Sequence, residues 1–130
     1  MLEYPSIEKV IEFNLLSLHV IKAKKADSHQ VLGWAKISKV LETCKNCQGD
    51  VFDKAVVLLK GLIQAHAFAS GNRRTDFLIA KYFLVINGKK LRVEDNPKNA
   101  KVLLGVREGF YSDAEVKEWI LHGKIKAFKR

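Results

Sequence analysis

The sequence predicts an all-α protein, a compact bundle of about five to six helices around a buried central helix. Two observations carry that expectation. Apolar residues return at spacings of three and four along most of the chain. A Ser, Asp or Asn heads nearly every such run, where a helix needs a side chain to cap its free N–H groups. A third observation sets the organisation: no internal repeat and no linker interrupts the 130 residues, so residues 1–130 are expected to form a single domain.

The elements follow in order. Ser6 caps a first helix whose apolar face is Ile7, Val10, Ile11, Leu15, Leu18 and Ile21, closing on the basic residues Lys22 to Lys25. Asp27-Ser28 offers the cap of a second helix, with Val31, Trp34, Ile37 and Leu41 on one face, and Thr43 to Asp50 has the composition of a polar loop. A third helix starts near Val51 and carries Phe52, Ala55, Val56, Leu59, Leu62, Ile63 and His66 on one stripe. Ser70-Gly71-Asn72 interrupts the pattern. It resumes at Thr75, and Phe77 to Ile86 holds one charge, Lys81, which suits a helix in the middle of a bundle. Asn87-Gly88 ends it. Lys89 to Asp95 reads as a short extended piece. Asn96-Pro97 supplies cap and first residue of a helix ending near Gly109. Ser112 to Glu115 fits a capping box for the last helix, with Val116, Trp119 and Ile120 inward and Gly123 as the stop.

With 48% hydrophobic and 28% charged residues the chain reads as globular. No run reaches the roughly 18 apolar residues that span a bilayer, and Met1 to Pro5 has no basic segment leading into an apolar one, so a cytoplasmic protein with no membrane partner is expected. The net charge of +9 attracts polyanions. The basic residues are scattered and lack interleaved aromatics, so nucleic acid is not the expected partner and most lysines read as solvated helix faces. Cys44 and Cys47 have no second pair to close a zinc site, and the four histidines are dispersed. The pair reads as part of a loop, with a redox role the other reading.

Chemistry concentrates in His66-Ala67-Phe68-Ala69-Ser70-Gly71-Asn72-Arg73-Arg74-Thr75. Physically this is a helix end, a small-residue turn and the start of a buried helix, whose free N–H groups and positive dipole end form a cradle for phosphate. Gly71 lets the backbone approach an anion and Asn72 can cap the helix. Arg73 and Arg74 oppose the dipole unless an anion is present, which is poor helix design and points to function. His66 has two readings, a general base or a core histidine donating to a carbonyl. Phe68 is a hydrophobic plug for the loop.

The string resembles the Fic/Doc signature H-x-F-x-[DE]-G-N-[GK]-R, and Thr75 after the last Arg resembles the death-on-curing (Doc) branch. The flanks Tyr4 to Val10, Phe52 to Ala55, Leu59 to Leu62, Phe83 to Gly88 and Glu115 to Ile120 are also similar, so the resemblance covers most of the chain. It implies a Fic/Doc-type bundle with a short flap hairpin, for which Thr43 to Asp50 is a short candidate. It implies catalysis by His66, which deprotonates a target hydroxyl, and nucleotide phosphates held by Gly71, Asn72, Arg74 and, in the Lys position of Doc-like proteins, Arg73. ATP is the implied donor of a phosphoryl or adenylyl group. The family's Mg²⁺ is helped by an acidic residue where this chain has Ser70, a weaker partner for a hard dication; Asp76 is the other candidate carboxylate, and the metal ligands stay unassigned. Phe77 stands where the longer Fic motif has another Arg, in line with the Doc branch. Leu104 replaces the Ser or Thr of the self-inhibitory [ST]-x-x-x-E-[GN] helix that would end at Glu108-Gly109, leaving either restraint by a small antitoxin protein or no need for restraint.

Three functions follow as expectations. The first is a Doc-like toxin transferring a phosphoryl or adenylyl group from ATP to a protein Ser, Thr or Tyr hydroxyl, hence a protein-kinase-type or AMP-transferring enzyme. The second is a catalytically degenerate member that binds nucleotide or partner without turnover. The third is a basic nucleic-acid-binding domain, whose binding would fall steeply with salt.

Overall fold

The computed structural model describes residues 1–21 and 31–129. Among them are six α-helices and no strand: α1 (Ile7–Ile21), α2 (Trp34–Asn46), α3 (Val51–Ala65), α4 (Asn72–Ile86), α5 (Pro97–Arg107) and α6 (Asp113–His122). The expected caps of three of them are in place. Ser6 Oγ accepts from Lys9 N at 3.1 Å. Asn96 accepts from Asn99 N with Pro97 in the first turn, and Ser112 forms a full capping box with Glu115. Asp50 does the same for α3 through Asp53. Gly88 and Gly123 take the left-handed backbone that closes α4 and α6. The Asp27-Ser28 cap and the Lys22 to Lys25 helix end lie outside the described residues.

The core forms where α3 and α4 meet. α3 packs on α2, α4, α5 and α6, while α4 packs on α1, α3 and α5. Leu58, Leu59, Leu62 and Ile63 of α3 and Ile79, Ala80, Phe83 and Leu84 of α4 are buried, with Trp119 and Ile120 of α6 closing the far side. α4 is therefore central as expected, though not apolar all round: Lys81 and Val85 face solvent.

Three local expectations need correction. On α1 the buried positions are Val10, Asn14 and Ser17, whereas Leu15 is exposed; two polar side chains displace the apolar stripe because the motif loop lies against them. Trp34 is 57% exposed: it is the first residue of α2, and the chain before it is tied elsewhere, with Leu32 N and Gly33 N both donating to Ala67 O. The flap hairpin is not found at Thr43 to Asp50. Residues 43–46 are the last turn of α2, and what remains, residues 47–50, is too short for two strands. Lys89 to Asp95 contains no strand; it crosses the bundle with Val93 buried and Arg92 N donating to Ile120 O.

The cysteines lie at the end of α2 rather than in a free loop. Cys44 is buried, and burial pushes its thiol up to about 11, which leaves little nucleophilic thiolate. The Lys54 ammonium satisfies the C-terminal carbonyls around it, donating to Cys44 O, Lys45 O and Cys47 O at 2.8 to 3.2 Å.

Candidate functional site

The motif loop is held from three directions. Asn72 closes it on itself: Phe68 N donates to Asn72 Oδ1 at 3.0 Å and Asn72 Nδ2 donates to Phe68 O at 2.7 Å, with Asn72 only 9% exposed. From α1, Asn14 Nδ2 donates to Ser70 O at 2.9 Å and to Thr75 Oγ1 at 3.1 Å, while the Thr75 hydroxyl donates to Gly71 O. From the chain before α2, Val31 forms an antiparallel bridge with Phe68. Phe68 itself is 1% exposed, so its ring anchors the loop in the core.

Gly71 is the N-cap of α4 at φ +75°, a backbone that side chains rarely adopt, and an added Cβ would sit 3.3 Å from Asn14 Nδ2 and Leu18 Cδ2. No side chain caps this end and no acid occupies its first turn. The N–H groups of Asn72, Arg73 and Arg74 have no acceptor among the described residues. Bare N–H groups, a dipole and two guanidinium groups converge where a buried helix begins, an arrangement that favours negative charge.

Two cavities meet at Ser70 to Arg73. One, of about 430 Å³, is bounded by Arg73, Arg74 and Phe77 of α4 and by Glu94 to Leu103 across from it. The other, of about 160 Å³, is lined by His66, Asp76 and Arg107 as well as the shared loop. Arg73 is exposed and makes no ion pair among the described residues. Arg74 Nη2 pairs with Asp95 Oδ2 at 3.1 Å, while its Nε is buried without a partner.

His66 is not part of the buried stripe of α3. The helix ends at Ala65, and His66 follows as its left-handed C-cap at φ +46°, the one non-glycine residue with positive φ among those described. Its side chain is exposed. A core histidine is therefore excluded, and the strained backbone presents an accessible imidazole to the small cavity.

Mg²⁺ fits these residues poorly. Ser70 offers a hydroxyl and a carbonyl already accepting from Asn14, and no group of three or more acidic, His or Cys residues comes together among the described residues. Asp76 stands as a single carboxyl, against the several oxygen ligands a hard dication takes. Asn14, Ser17, Asp95 and Arg107 were not legible as site residues, though two polar side chains three apart on an inward helix face are a usable signal.

A sequence model of the Fic/DOC family matches residues 18–84, just over half of the chain and the whole motif. The chain belongs to the Fic/DOC family. No curated protein matches it. In this Fic/DOC protein the motif has the architecture its pattern implies: His66 at a helix end, Gly71 at the turn and Asn72, Arg73 and Arg74 in the first turn of the following helix. No helix of the described residues is long and apolar enough to cross a membrane.

Proposed function

We propose that the protein is a Doc-like toxin that transfers the terminal phosphoryl group of ATP to a Ser, Thr or Tyr hydroxyl of a target protein, and that a small antitoxin restrains it. The supporting observation is the unequal pair of cavities meeting at the uncapped start of α4. The smaller, about 160 Å³, has the volume of about five waters, room for one phosphate group and not for adenosine. The larger, about 430 Å³, is of the size that holds small organic ligands. A nucleotide with its nucleoside in the larger cavity brings its last phosphate to His66.

In that pose the His66 imidazole accepts the proton of the target hydroxyl, whose oxygen attacks the γ-phosphorus. The bond from that phosphorus to the β,γ-bridging oxygen breaks and ADP leaves. Arg73 and the free N–H groups of Asn72 to Arg74 stabilise charge on the transferring oxygens, which is where most catalysis of phosphoryl transfer resides. Adenylyl transfer would require the α-phosphate at His66 with two more phosphates beyond it, more than the smaller cavity holds.

Incubation of a cell lysate with the protein and ATP is the test. A target should gain the mass of one phosphate, and His66→Ala should slow the transfer by roughly 10²- to 10⁴-fold. A gain of one AMP would refute the orientation. No transfer at all, with His66→Ala indistinguishable, would refute the reading. The second reading, a member that binds nucleotide without turnover, is favoured by Ser70 and the lone carboxyl of Asp76; activity gained in Ser70→Asp would establish it.

A further inference from the structure

Asp76, in the second turn of α4, is 1% exposed, and its Oδ2 has no hydrogen-bond partner. A buried carboxylate without a partner is among the costliest groups a protein interior can hold. Burial pushes Asp76 well above the usual carboxylate range. Such burial favours the neutral acid, which has a proton to donate. The residue lines the small cavity, and the groups that share the cavity with it decide what the donor is for.

The titratable and charged groups facing that space are His66 from the end of α3, Arg73 from α4 and Arg107 from the end of α5. The loop contributes only Ala69, Ser70 and Gly71, and α1 brings the uncharged Asn14 to the same end of α4. Two guanidinium groups repel a cation and one carboxyl is too few to hold it. An oxyanion meets the opposite conditions: two cations, the uncapped helix start and one neutral acid. A carboxylic acid kept neutral by an apolar site is an established way to donate a hydrogen bond to an anion.

We propose that the small cavity is an oxyanion subsite in which the Asp76 carboxyl donates a hydrogen bond to an oxygen of the terminal phosphate, with no metal ion bridging the two. The assignment rests on the reading that places the terminal phosphate beside His66. It gives Asp76 a use that its burial otherwise lacks, and it makes the site prefer the phosphate while the acid keeps its proton. As pH rises through the raised value of Asp76, the donor becomes a second negative charge beside the first, and the anion is released.

Sulfate is a suitable probe because it stays doubly charged through the range in question. Titrated calorimetrically into the full chain with a chelator present, across the pH range in which the fold persists, it should bind more tightly at the acid end than at the alkaline end. The difference should be about tenfold or more, the worth of one hydrogen bond to a charged group. Asp76→Asn keeps a donor at every pH and should flatten that part of the profile. His66 is present in both proteins, so the difference between the two profiles isolates residue 76. Asp76→Ala, with no donor, should bind weakly at both ends of the range. Identical profiles for the wild type and Asp76→Asn would overturn the proposal. So would tightening of the wild type by Mg²⁺ that Asp76→Asn abolishes, since that marks a cation ligand. The readout is anion binding, so an absence of phosphoryl transfer would count against the functional reading and leave this one standing.

Discussion

α3 and α4 are each 15 residues long and pack against one another, yet their N-termini are finished in opposite ways. At the start of α3, Asp50 Oδ1 accepts from Phe52 N and Asp53 N at 2.9 Å, and Asp53 Oδ2 accepts from Asp50 N at 3.0 Å. Lys117 of α6 then ties both carboxylates down, at 2.8 Å to Asp53 and 3.4 Å to Asp50. At the start of α4 a glycine stands in the cap position, the first turn carries arginines in place of acids, and Arg74 Nε and Asp76 Oδ2 are buried without partners. One end has spent its hydrogen-bonding capacity on itself; the other has capacity left over.

The largest effect is expected where the open end is held in shape. Asn72→Leu orphans both Phe68 N and Phe68 O, and each buried unpaired group costs about 1–3 kcal/mol, for a loss of roughly 2–5 kcal/mol. Urea melts should register that loss and calorimetry should find nucleotide binding abolished. The matched change at the closed end, Asp50→Ala, removes a cap worth about 1–2 kcal/mol and should leave nucleotide affinity unchanged. Equal effects of the two variants on binding would show that the contrast between the ends is not functional.

An intermediate effect is expected at Asp76, with a sign that depends on pH. The folded chain holds the Asp76 proton more tightly than the unfolded chain does, because burial raises it. Its contribution is therefore most favourable below about pH 4, the ordinary carboxylate value, and is lost as pH rises toward the folded value. Asp76→Asn has no such proton to lose. Relative to the wild type, the variant should gain stability across that window, because the unfolded wild-type chain releases there a proton that the folded chain keeps. Melts at about pH 4 and about pH 8 measure it; a constant difference at both would mean that Asp76 does not titrate in the folded state as its burial requires.

The sequence made the closed ends far more legible than the open one. Ser6, Asn96 and Ser112 were readable because a capping side chain and the helix it starts are adjacent in the chain. Gly71 to Arg74 was readable through its mismatch, cations where the dipole disfavours them. What supports the loop and what faces it were hidden because they are remote in sequence: Asn14 reaches Ser70 across 56 positions, and Arg107, which lines the small cavity, comes from a different helix. His66 was misplaced on the α3 stripe because periodicity carries no information on where a left-handed residue ends the helix. Leu15 and Trp34 were misassigned to buried faces for a related reason: apolar spacing marks a helix but does not say what packs against it.

The smallest expected effect is the most discriminating. Arg73 sits in the first turn of α4, exposed and without an ion pair among the described residues. With no anion bound, its charge opposes the helix dipole by about 0.3–1 kcal/mol. Arg73→Ala should therefore stabilise the unliganded protein by about that amount in a urea melt. The same variant should weaken ATP binding by about tenfold, since one charge-assisted hydrogen bond is worth about 1.5–3 kcal/mol. The two changes have opposite signs because the residue is unfavourable to the fold and favourable to the complex. A purely structural arginine would lose stability on removal and leave binding alone, and a solvated one would change neither. Only an end kept open for an anion predicts a variant that is more stable and binds less.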